Sequence, residues 1–147
     1  MDVQDKELLV KFLKDLKKLL SQILEEKGTF RGEWLQLALK AYSELSGLWE
    51  EAQSHIHSGE YDTRLDQVGL SGVQLRVKLA GFNNALAATV QLPGGRVSRW
   101  KIFRRALKWA NIILGSLVKA LTRLELIKEF KECVEEGLEE AIEDTGG

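Results

Sequence analysis

Ser98–Leu124 reads SRWKIFRRALKWANIILGSLVKALTRL. Trp100, Phe103, Leu107, Ala110, Leu114, Leu117, Leu121 and Leu124 recur every three or four positions, the period of one helix face. The seam predicts a helix over 98–124 with Ser98 as its cap. Extended back to Gly94, the stretch carries Arg96, Arg99, Lys101, Arg104, Arg105, Lys108, Lys119 and Arg123 and no acidic residue. The tail is opposite in sign. It holds Glu132, Glu135, Glu136, Glu139, Glu140, Glu143 and Asp144, with no basic residue after Lys131. A chain of net charge −1 thus joins a basic amphipathic helix to an acidic one.

Working outward, Leu92-Pro93-Gly94-Gly95 breaks the chain before this helix. Upstream, Leu65, Val68, Gly72, Leu75, Leu79, Phe82, Leu86 and Thr89 keep heptad spacing, and Leu70, Val73 and Val77 add a second apolar side. The pattern predicts a helix over 64–91, central in its bundle because two of its sides are apolar. Gly69, Gly72 and Gly81 lower its helix propensity by about 1 kcal/mol each relative to Ala, and read as points of close backbone approach. Thr63 and Asp66 have the spacing of a capping box. A helix over 30–57 follows from Phe30, Trp34, Leu37, Ala41, Leu45, Leu48, Trp49, Ala52 and Ile56. A first helix over 4–26 follows from Leu9, Phe12, Leu13, Leu16, Leu19, Leu20, Ile23 and Leu24, with Lys11, Lys14, Lys17 and Lys18 on its other side. Gly28 ends it and Thr29 caps the next.

Short connections between helices of similar length imply antiparallel neighbours. The expected fold is all-α: an antiparallel up-down four-helix bundle over 1–124, with an additional or extended acidic C-terminal helix and tail over 125–147 in the same domain. After Leu124 the apolar pattern shifts to Ile127, Phe130, Val134, Leu138 and Ile142, which places a break or register shift near Thr122–Glu125. An unbroken helix from Ser98 to Asp144 would run about 70 Å, well beyond its neighbours.

A chain of 147 residues with 44% apolar and 29% charged residues reads as one soluble globular domain. The single Cys133 leaves no intramolecular disulfide and fits the reducing cytoplasm, with a peripheral membrane position as the variant. Met1–Lys6 leads into a charged helix rather than a signal-like apolar run. The uncharged run Trp109–Val118 is too short to span a bilayer but long enough to lie in an interface. The ending Thr145-Gly146-Gly147 has the character of a linker, as at the end of an N-terminal module.

No residue pattern points to an enzyme. His55 and His57, two apart on a helix, point about 200° from each other and cannot share a metal. At a helix end, an imidazole meets the last carbonyls. Cys133 lies among Glu132, Glu135 and Glu136, which oppose thiolate formation. No Glu-x-x-His pair offers a carboxylate-bridged metal site, and the loop at 92–95 lacks the frame of a phosphate loop. Catalytic residues, metal ligands, cofactors and a small-molecule substrate are therefore not expected.

The basic helix has a plain reading, a charged outer face matched to Glu44, Glu50, Glu51 or the acidic tail. Two features go further. Solvated faces normally mix signs, and this one does not. Trp109 and Ile112 also fall off the core seam, on the side facing away from it, so either another helix covers them or something outside the chain does. The candidate contact residues are Arg99, Trp100, Lys101, Arg104, Arg105, Lys108, Trp109 and Ile112. A protein partner, or a second copy of the chain, is the first expectation, because opposite charge on two surfaces favours head-to-tail contact. An anionic membrane is the alternative, with indoles at headgroup level. Nucleic acid is the second alternative, and the pI near 6.2 argues against it.

Arg99-Trp100-Lys101-Ile102-Phe103-Arg104-Arg105, with Gly115 later in the same helix, resembles the start of cecropin-type membrane-lytic peptides. A four-helix bundle followed by a brace-like helix resembles the HeLo-type N-terminal domains of cell-death effectors. The second resemblance implies a domain at rest in solution that exposes an amphipathic helix when triggered, and the charge separation adds the expectation that the acidic tail neutralises that helix until then. Together these readings describe a non-enzymatic interaction or effector module of a larger signalling or defence protein.

Overall fold

The computed structural model describes residues 1–25, 39, 43, 49–90 and 96–121, with backbone alone at 96–101 and 118. The described residues are helical and contain no strand. The helices are α1 (Val3–Glu25), α2 (49–57), α3 (Asp62–Gln67), α4 (Gly72–Ala88) and α5 (Arg96–Ala120). The expected cap at Thr29, the stop at Gly28, the break near Thr122–Glu125 and the helix within 125–147 lie outside the described residues.

In α1 the expected stripe is the buried one: Leu9, Phe12, Leu13, Leu16, Leu19, Leu20 and Ile23 are all buried. Asp2 caps its start, its Oδ1 accepting the Asp5 N–H at 2.8 Å. Asp5 turns its own carboxylate to α4. Its Oδ2 accepts the Gly72 N–H at 2.9 Å, and its Oδ1 lies 3.5 Å from Arg76 Nη2. Ser71, at the N-cap of α4, makes no side-chain capping bond, so α1 supplies the anion this helix start favours. At the far end, Gln22 Nε2 donates to the Thr89 carbonyl at 3.0 Å, and Phe12 meets Phe82 edge-on between the two ties, with centroids 4.9 Å apart. Start meets start and end meets end, so α1 and α4 run parallel.

The other directions alternate. Trp49, at one end of α2, shares a cleft with Lys17 and Ser21, and just past the other end Asp62 pairs with Lys6 at 3.3 Å, which makes α2 antiparallel to α1. Trp109 of α5 packs on Gly81 of α4, and a parallel α5 would then start about 30 Å from the end of α4, farther than the connection 89–95 can span, so α5 returns antiparallel to α4.

The expected single helix over 64–91 is two helices. Gly69 has φ +77, its N–H bonds to the Asp66 carbonyl at 3.1 Å, and the Leu70 N–H bonds to the Leu65 carbonyl at 2.8 Å. This is a Schellman stop, with Gly69 in the left-handed position after the cap and Leu70 and Leu65 both buried over it. Lys78 Nζ adds a bond to the Gly69 carbonyl at 3.0 Å. Gly69 thus ends a helix and also admits close neighbours, since a Cβ there would lie 2.6 Å from Gln74 Oε1 and 2.9 Å from Lys78 Nζ. Nor is Thr63 a cap. α3 starts at Asp62 without a side-chain capping bond, and Asp66 accepts from the Ser71 hydroxyl instead. Ser98 lies inside α5, two residues beyond its start at Arg96. α4 is also less central than expected: Leu75, Leu79, Phe82 and Ala85 are buried, but Val73 and Val77 on its second apolar side are 73% and 60% exposed.

Candidate functional site: the outer face of α5

Phe103, Ala106, Leu107, Ala110, Ile113, Leu114, Leu117 and Ala120 are buried and fix the inner face of α5. What remains outside follows from the helical period. Arg105, Lys108, Ile112 and Lys119 are exposed and share one side of the helix, with Gly115 and Ser116 half-exposed among them. From Arg105 to Lys119 the row runs about 21 Å at 1.5 Å per residue. It is a convex ridge of cations with one apolar side chain, Ile112, 49% exposed. Lys119, in the last turn, also meets the negative end of the helix dipole.

Trp109 is elsewhere. It is half-buried and packs on the core. A Cβ placed on Gly81 would lie 2.5–2.6 Å from Cε2, Cδ2 and Cζ2 of this indole. Three ring atoms at one distance put the face of the ring over the glycine. Gly81 is therefore the point of close approach expected of the α4 glycines, and Trp109 is the neighbour that approaches. The expectation that Trp109 faces outward beside Ile112 is corrected accordingly.

Of the eight expected contact residues, Arg105, Lys108 and Ile112 stand together on the exposed ridge. Arg104 is half-buried on its flank. Arg99, Trp100 and Lys101 lie on the backbone of α5, and their side chains are outside the described residues. Lys119 belongs to the ridge and was not among the expected contacts, although its spacing from Ile112 would have included it.

Among the described residues no group of three or more His, Cys, Asp or Glu is placed to hold a metal ion. His55 stacks edge-on against Tyr61 at 5.2 Å and faces Glu51 at 3.7 Å, whereas His57 points towards α1. Among the described residues no helix is long and apolar enough to cross a membrane. No family model, curated protein or solved structure matches the chain.

Proposed function

We propose that the chain is a non-enzymatic helical interaction domain, a four-helix bundle with an acidic C-terminal helix, that binds an acidic protein surface through the outer face of α5. The observation that carries this reading is the ridge Arg105–Lys108–Ile112–Lys119, cationic and exposed along its length. Such a ridge attracts a surface of opposite charge, and the attraction weakens as salt screens it. The Glu-rich stretch 132–144 of a second copy has the matching charge. Protein is preferred to membrane because Trp109 is engaged on Gly81, which leaves Ile112 as the apolar side chain of the described ridge. A role as the first module of a larger signalling or defence protein, of HeLo-like design and acting in the cytoplasm, belongs to the same proposal. It rests on the charge separation and the lone Cys133.

Sedimentation of the full chain across a salt series, with a peptide of residues 132–144 as probe, tests the reading. Self-association or peptide capture at low salt, lost at high salt and lost in Arg105→Glu/Lys108→Glu, is the expected result. A monomer that captures no peptide at any salt overturns it. Binding to anionic vesicles that survives high salt overturns it in favour of a membrane surface.

A further inference from the structure

We infer that the cleft between α1 and α2, lined by Lys14, Lys17, Lys18, Ser21 and Trp49, binds an organic phosphate. The cleft has a volume of about 310 Å³. It adjoins a second of about 390 Å³ that shares Lys14, Lys18 and Trp49 and continues past Lys11, Asp15 and Glu7 to Val10 and His57. Both lie at the lower end of the range occupied by small-molecule sites, roughly 300–1,000 Å³.

Three observations set the ligand chemistry. The first is the donor set. Three lysines, Ser21 and Trp49 line the first cleft, and of their side-chain polar groups only the Ser21 hydroxyl can also accept. The second is charge. Lys11 is paired with Asp15 at 2.6 Å, but among the described residues Lys14, Lys17 and Lys18 have no ion pair. Their spacing of three and four puts three like charges on one side of α1, with Asp15, held by Lys11, beside them. The third is Trp49. Its Nε1 is buried and has no hydrogen-bond partner among the described residues. That atom has no exposed surface, so what Trp49 gives both clefts is the apolar face of its indole.

A phosphate monoester answers all three. Its oxygens accept from several donors at once, and its charge matches two or more ammonium groups. The flat indole and the lysine stems give the rest of the ligand an apolar wall, which is why an ester fits better than the bare ion. The ester is either a free metabolite or the headgroup of a lipid. This site is on α1 and α2 and does not depend on the ridge of α5.

The test is titration of the full chain with phenyl phosphate, followed through the Trp49 Nε1–H signal in NMR and assigned with Trp49→Phe. A saturating shift is expected. Lys14→Gln/Lys18→Gln, both at exposed positions, should weaken binding by about tenfold or more, since each removes a charged hydrogen bond. Glu60→Gln, exposed beyond the end of α2, should leave it unchanged. No saturating shift, an equal shift from sodium chloride at the same ionic strength, or unchanged affinity in the double variant overturns the inference. With phenyl phosphate bound, displacement by phosphatidylcholine vesicles containing a phosphatidylinositol phosphate assigns the site to a lipid headgroup. Failure to displace assigns it to a soluble ester.

Discussion

α1 and α5 each turn a row of cations outward, and the rows differ in what lies beside them. Lys14, Lys17 and Lys18 stand over a cleft walled by the indole of Trp49. Arg105, Lys108 and Lys119 stand on a ridge whose nearest indole, Trp109, is turned inward onto Gly81. Sign of charge selects the sign of a partner in both places. Curvature selects its size. A concave site surrounds a small anion and strips water from it, whereas a ridge needs a partner broad enough to bring its own complementary surface.

Both rows lean on α4, so the comparison is broken most severely there. Phe82 is fully buried and meets Phe12 of α1 edge-on. Phe82→Ala should cost about 3–5 kcal/mol in denaturant unfolding, the range for a large aromatic removed from a packed core. A loss below about 1 kcal/mol would mean that α4 is not the common wall. Gly81→Ala is more selective. It places a methyl 2.5 Å from the ring of Trp109 and should cost about 1–3 kcal/mol through overpacking. Trp109 emission should shift to the red while the Trp49 N–H signal stays in place. If both signals move, the two rows are coupled through the core. Ile112→Ser has the smallest effect on folding, within about 0.5 kcal/mol, because the side chain is half-exposed. It should still weaken capture of the 132–144 peptide, and undiminished capture would reduce the ridge to charge alone.

How legible these features were depended on how far away their causes lay. The stripe of α1 is a local periodicity, and every residue from Leu9 to Ile23 on it is buried except Leu24 beyond its end, which is half-buried. The stop at Gly69 was also local, but its signal was masked by the heptad that runs through it. Leu65, Leu75 and Phe82 all face the core although a turn intervenes. The place of Trp109 could not be read from its own helix. Falling off the seam looks like facing solvent until the helix opposite presents a glycine. Asp5 was less visible still. Its partners Gly72 and Arg76 are far along the chain, and an acid in a first turn has an ordinary reading as a dipole partner of its own helix. The ridge followed from spacing, whereas the cleft beside Trp49 required two helices to be set side by side.

The two ties that hold α1 parallel to α4 have a consequence for how the chain comes off the ribosome. Asp5 to Gly72 and Gln22 to Thr89 each span 67 residues. At about 5–20 residues per second, α1 emerges roughly 3–13 s before the wall it will finally share. Its leucine stripe must spend that interval covered by something else, and α2, the antiparallel neighbour made next, is the element in position to do it. α1 and α2 are then translated in full, with every lysine of the cleft, while the arginine ridge has yet to be made.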